Sequence, residues 1–330
     1  MTRLSPTFWI VAGAAAVAAL ATISVFIGVA ELDGFILFAS RIPRTIALVL
    51  AGAALAITGL VMQLLTRNRF VEPGTTGATD AATLALLVVL LTTPGLPIAG
   101  KAIAAALGAL VGVFGFLALA RRIPSRSSVL VPIVGILYGG VIGAVTTFLA
   151  QRTDVLQELL SWTVGDFSGI LRGRYEMLYF AAAAALVAWI AADRFTVAGL
   201  GDDTARALGL DTRAVMALGV VIIAAVTGIM LVIVGPLPFL GLIAPNIVSR
   251  LIGDNMRRAV PLVALLGSTL VLLCDIIGRL VRFPFELPIS VIMGVLGGIV
   301  FLWLLLGTAR PSDAARLRPR EGRVRGGGAR

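Results

Sequence analysis

Apolar runs of about 18 or more residues recur along nearly the whole of this chain, and each can cross a ~30 Å hydrocarbon core at about 1.5 Å per residue. No water satisfies the backbone inside such a core, so each run must close its own hydrogen bonds as a helix. The runs and their breaks predict ten spans: 8–30, 42–65, 78–94, 99–120, 128–150, 176–192, 213–234, 238–252, 259–281 and 287–308. The eighth is short and interrupted by Pro245. The first, Phe8 to Ala30, exceeds the roughly 7–15 residues of a signal-peptide core and reads as a retained span. The expectation is an all-α integral membrane protein, with a polytopic domain over 1–308 and a tail over 309–330. Composition agrees: 59% of the 330 residues are hydrophobic and 13% charged, where a soluble domain carries about a quarter charged.

Absences narrow the chemistry. There is no histidine and a single cysteine, Cys274, so zinc, haem and disulfide readings lack their ligands. Lys101 is the only lysine, and no GxxxxGK[ST] loop surrounds it, so the chain has no phosphate-cradling loop of that type. The formal charge of +10 does not point to nucleic acid, because the arginines are dispersed between spans. They point to an orientation instead. With the N-terminus inside, cytoplasmic segments hold 19 basic residues and outer segments 8. Cationic loops resist translocation, so both ends are expected in the cytoplasm. The Arg-, Gly- and Pro-rich tail has no apolar period and is expected to be disordered, either solvated or lying on anionic headgroups. Pro43, Pro132, Pro236, Pro238, Pro245 and Pro288 punctuate the spans. Broken helices are tolerated only where protein or a watery path satisfies the freed backbone, which favours a transporter over an anchor.

One stretch breaks the apolar pattern. "AADRFTVAGLGDDTARALGLDTRAV", Ala191 to Val215, carries four aspartates and three arginines. By the orientation above, its cytoplasmic part covers about 193–212. Asp202 and Asp203 stand where a helix N-terminus favours negative charge, and Gly209 where a left-handed stop ends the helix. Leu200, Ala205 and Leu208 form a small apolar face, with Arg206 opposite. A helix this short is not stable alone. Helices that lie in the headgroup layer are usually basic and aromatic-bearing. Acidic residues beside small apolar ones suit a protein groove, so the segment reads as a docking element for a cytoplasmic partner.

"GLGDDTARALGL" resembles the coupling segment of the membrane subunits of iron-siderophore and vitamin B12 ABC importers, the FecCD type. "SRIPRTIALVLAGAALAITGLVMQLLTRNRFVEPGTTG" is similar to that family's second span and following loop. "GPLPFLGLIAPNIVSRLIGDNMRRAVPLVALLGSTLVLLCDIIGR" and "ELPISVIMGVLGGIVFLWLLL" are similar to its last three spans. The resemblance covers nearly all ten spans. Two positions depart from the pattern: Asp202 replaces a Glu and keeps its charge, whereas Pro245-Asn246 replaces the Pro-His of the vitamin B12 branch. "SWTVGDFSGILRGRYEMLYF", "DRFTVAGLG" and "LIAPNIVS" look most like the branch carrying catecholate-type ferric siderophores of the petrobactin or anguibactin kind.

The resemblance implies a type II ABC importer permease fold in the cell (inner) membrane. Two copies, or one copy and a paralogous permease, would enclose one pathway. Separate ABC ATPase subunits would bind ATP and Mg, with no cofactor on this chain and no catalysis by it. A periplasmic or lipoprotein siderophore-binding protein would deliver the cargo. Carried over by position, Gly201, Asp202, Asp203, Ala205, Arg206, Leu208 and Gly209 couple to the ATPase. Arg41, Arg44 and Arg279 meet acidic residues of the binding protein, a task that suits a permanently charged planar fork. Asn68 and Phe70 on "TRNRFVEPGTTG", with Ser127 and Ser128 on "RRIPSRSSVL", form the inner gate. Plainer roles stay open beside these. Arg44 also suits a headgroup anchor, Asp275 stands four residues before Arg279 and can neutralise it within the bundle, and Ser127 suits a helix cap. Gly108, Gly112, Gly115, Gly135, Gly139 and Gly143 recur at helical spacing and read as close-packing positions.

Three other readings compete. A permease of the same family for vitamin B12 or haem is one. An ion-gradient-driven secondary transporter would need buried carboxylates along a relay, for which only Asp80 and Asp275 are candidates. A membrane enzyme would find little chemistry in this side-chain set.

Overall fold

The computed structural model describes residues 5–28, 33–123, 130–253 and 255–308, and every regular element among them is helical. α1 (Pro6–Phe26) begins where the Ser5 hydroxyl accepts the Phe8 N–H at 3.3 Å, with Pro6 pre-setting the first turn. α2 (Gly34–Ile36) passes through a π-helical turn, Leu37–Arg41, into α3 (Ile42–Thr66), giving a continuous apolar rod of 33 residues. Arg67 ends it in the left-handed region, φ 49°. After a 3₁₀ turn at Pro73–Thr75 come α4 (Ala78–Thr92), α5 (Ile98–Ala120), α6 (Leu130–Arg152), α7 (Leu156–Trp162) and α8 (Leu178–Ile190). Two short helices follow, α9 (Ala192–Gly199) and α10 (Asp202–Ala207). The last four are α11 (Thr212–Ile233), α12 (Leu240–Ile252), α13 (Met256–Leu280) and α14 (Ile289–Thr308). Asp211 caps α11 through the N–H groups of Arg213 and Ala214, and Asn255 caps α13 through that of Arg258.

Each of the ten expected spans falls on one of these helices. Among the described residues six stretches are long and apolar enough to cross a membrane, and α8 with α9, bent by 62°, makes a seventh if the pair is one span. α4, α12 and the apolar part of α14 are shorter. α12 is about 20 Å long from its 13 residues, less than a membrane's thickness. It starts late because the preceding residues cannot be helical: Pro236 and Pro238 lack an N–H, and Gly235 and Phe239 hold φ of 89° and 65°. It therefore begins part-way along the bundle, beside Gly59 of α3.

α3 is the central post, contacted by α8, α11, α12 and α13. Small residues set these approaches. A Cβ at Gly52 would lie 2.7 Å from the Gly267 carbonyl oxygen, and Gly59 meets the Gly241 backbone directly. Gly108 and Gly112 bring α5 against the backbone of α4, and Gly135 brings α6 against the Thr75 carbonyl, as packing glycines should. Gly139 packs on the Gly77 backbone and also faces the Asp80 carboxylate, whereas Gly143 faces that carboxylate alone. α3 and α13 run antiparallel, so Arg44 and Asp275 meet at one end of the bundle. Arg67 and α10 mark the other.

Candidate functional site

Three regions hold the residues singled out by sequence. At the α10 end, Gly201 (φ 118°) breaks away from α9, and Asp202 and Asp203 occupy the first turn of α10. Gly209 (φ 76°) ends the turn as expected, a conformation a side chain would strain. The expected apolar face divides. Ala205 is buried against the bundle, whereas Leu200 and Leu208 are 62% and 64% exposed, and Arg206 is exposed beside them. Sequence reasoning missed the tether of this helix: Asp202 pairs with Arg67, the residue that ends α3. Asp193 of α9 likewise pairs with Arg257 of α13.

Next to Arg67 lies the segment carrying Asn68 and Phe70. Asn68 is buried, its Oδ1 accepting the Phe70 N–H at 2.9 Å. The Phe70 ring meets Phe301 of α14 edge-on at 6.1 Å, and Phe301 stacks on Phe239 at 5.9 Å. Ser127 and Ser128 lie outside the described residues. Three buried side chains staple this segment to α12. Gln63 donates to the Gly241 carbonyl at 3.2 Å, Asn246 donates to the Arg69 carbonyl at 2.8 Å, and Glu72 accepts the Phe239 N–H at 2.9 Å. The Gly241 and Leu242 N–H groups also turn toward the Glu72 carboxylate. Glu72 thus satisfies the orphan donors of a helix that starts inside the bundle. The only signal in the sequence was an acidic residue before Pro-Gly, with two prolines far downstream.

At the opposite end, the three arginines are turned inward. Arg44 gives Nε and Nη2 to Asp275 at 3.1 and 2.7 Å and Nη1 to Glu286 at 2.8 Å. Arg279 is 6% exposed, donates to the Ser24 and Ile27 carbonyls at 3.0 and 2.9 Å, and pairs with Asp275 and the Ser24 hydroxyl. Arg41 is buried and donates to the Val25 carbonyl at 3.2 Å. The plainer role of Asp275, neutralising Arg279, is present, and Arg44 shares the same carboxylate. Arg172 and Arg174 are exposed.

The arrangement combines a tethered short helix with outward leucines, a broken helix stapled to a neighbouring loop, and a charge cluster at the far end. None of these regions assembles an acid, a base and a nucleophile, and among the described residues no cluster of potential metal ligands exists. Known proteins are similar to this chain over most of its length. The petrobactin import system permease protein YclN of Bacillus subtilis is 41% identical over 299 residues, 87% of this chain and 94% of that protein. The ferric-anguibactin transport system permease protein FatD of Vibrio anguillarum is 37% identical over 274 residues, 83% of this chain and 87% of that one. A solved structure of a metal-chelate type ABC transporter, in an inward-facing conformation, shares the fold with a TM-score of 0.78 at 22% identity. It covers 92% of this chain and all of its own. The FecCD transport family matches residues 4–307, and the chain, a multi-pass transport permease, belongs to that family.

Proposed function

We propose that this permease passes a ferric siderophore of the catecholate type into the cytoplasm, driven by separate ATPase subunits docked on α9 and α10. The observation that carries the docking is the exposed pair Leu200 and Leu208, held at fixed spacing by Gly201 and Gly209 and tethered through Asp202 to Arg67. Two bare leucines beside charged residues suit the rim and core of a protein groove. ATP and Mg belong to those partners. The basic residues favour both ends in the cytoplasm of a cell-membrane protein, which puts α10 on the ATPase side. A binding protein then approaches the end bearing Arg41, Arg44 and Arg279. Its carboxylates would reach Arg44 by exchanging with Glu286, whose side chain is 32% exposed, and not with the enclosed Asp275. A second permease copy, or a paralogue, completes the pathway. Asn68 and Phe70 act at its inner gate with Ser127 and Ser128.

The cargo class rests on the petrobactin and ferric-anguibactin relatives. The test is uptake by proteoliposomes carrying the permease, with and without its ATPase, across ferric catecholate and hydroxamate siderophores and vitamin B12. ATP-dependent uptake of a catecholate complex is expected. Uptake driven by an ion gradient without the ATPase, or of vitamin B12 alone, would sink the proposal.

A further inference from the structure

Between α4, α6, α7, α11 and the non-helical residues 235–239 lies a cavity of about 440 Å³. Its polar side chains are carboxylates and hydroxyls, including Asp80, Glu72, Thr83, Thr146, Thr147 and Thr227, with no arginine or lysine among the lining residues. Several hydroxyl protons are already used. Thr83 donates to the Thr79 carbonyl and Thr146 to the Ile142 carbonyl, each at 2.8 Å within its own helix, which leaves oxygen lone pairs toward the cavity. The Glu72 carboxyl is already occupied by the backbone N–H groups at the start of α12. Asp80 is different. It has no ion-pair partner among the described residues, and the only donor turned toward it there is its own backbone N–H. Thr227, only 4% exposed, lines the same cavity, and its buried hydroxyl has no hydrogen-bond partner among the described residues.

The facing helix leaves room for this carboxylate. A Cβ at Gly139 would lie 2.6 Å from Asp80 Oδ2, and one at Gly143 would lie 3.4 Å from Oδ1. Two glycines one turn apart thus leave a face bare beside an unneutralised charge. Acceptor oxygens without donors call for a ligand that is positive or donates every proton, and one unbalanced charge calls for one positive charge. We propose that this cavity holds a monovalent cationic group, an alkali ion or a primary ammonium, with Asp80 as counter-charge and the Thr227 oxygen as a further ligand. A rival account makes Asp80 only an acidic residue in the first turn of α4, favoured by the helix dipole. That account leaves the buried, unpartnered Thr227 hydroxyl unexplained.

The test uses the purified full-length permease in nanodiscs without any ATPase, so its result is independent of the transport proposal. Sodium, potassium or propylammonium chloride replaces choline chloride at constant ionic strength, and the thermal midpoint is read; radioactive sodium binding is measured in parallel. At least one small cation is expected to raise the midpoint saturably. Asp80→Asn should abolish that response, and the near-isosteric Thr227→Val should weaken the apparent affinity about tenfold, the effect of one lost ligand oxygen. Glu158→Gln, which changes an exposed acid on α7, should leave it unchanged. A sodium or potassium response identifies a free ion as the source, and a response to propylammonium alone identifies an organic ammonium. No response to any of the three, or one undiminished in both Asp80→Asn and Thr227→Val, overturns the proposal and leaves a water-filled cavity.

Discussion

At Asp275 a single carboxylate, 1% exposed, serves two guanidinium groups drawn from different helices. Its pairing with Arg279 is four residues long and was readable from spacing. Its pairing with Arg44, 231 residues away, was not. Removing one partner from a buried charge cluster strands the others, so Asp275→Asn should cost about 3–5 kcal/mol, read as a lowered unfolding midpoint in nanodiscs. Glu286→Gln touches a pair open to solvent and should cost no more than about 1 kcal/mol. The same pair bears on delivery. Arg44→Glu would place a third carboxylate beside Asp275 and Glu286, confounding folding with docking. Glu286→Gln removes only the internal competitor, and should tighten binding of the delivery protein while Arg172→Glu changes it little. Unaltered affinity in Glu286→Gln and in Arg44→Gln would mean that these arginines hold the bundle together and do not dock.

α10 and α12 show how far an element can be read locally. Charge at the start of α10 and glycine at its end predicted the helix, and both are in place. The apolar face was misjudged because Gly201 takes φ 118° before the helix starts, so Leu200 does not follow the helical period. The leucines point outward and Ala205 inward. Leu208→Glu should therefore abolish binding-protein-stimulated ATPase activity in the assembled complex while the permease still inserts; unchanged stimulation would remove α10 as the coupling element. α12 depends on a residue far from it in sequence. Glu72→Leu leaves the amides at its N-terminus without an acceptor, an expected loss of about 1–3 kcal/mol. Hydrogen exchange should quicken in both 63–72 and 239–246, since three side chains join them. Faster exchange in only one of the two would show that they do not move together.

Among the described residues the ion pairs lie at the two ends of the bundle, with Arg67, Asp202, Asp193 and Arg257 at one and Arg44, Arg279, Asp275 and Glu286 at the other. Orientation decides which end meets the ATPase. Cys274, the only cysteine, is buried, so new cysteines can be labelled over little background. In intact spheroplasts an impermeant maleimide should label Arg172→Cys, and Arg206→Cys only after permeabilisation. The reverse pattern would invert the assignment of sides.

Sequence alone determined the ten apolar helices, their order, and the presence of a charged segment between α8 and α11, but not the short helices α2, α7 and α9. A helix in lipid satisfies its backbone within itself, so its existence depends only on local length and polarity. Even there, the start of α12 needed Glu72 from another part of the chain to cap it. Only the tertiary structure decided which polar groups meet. The Arg44–Asp275–Glu286 cluster, the stapling of 63–72 to α12 and the bare face beside Asp80 each join residues distant in sequence. Those meetings depend on which faces of α3, α6, α12 and α13 pack. The packing follows from where glycines let two backbones approach, a property of pairs of helices that no single segment encodes.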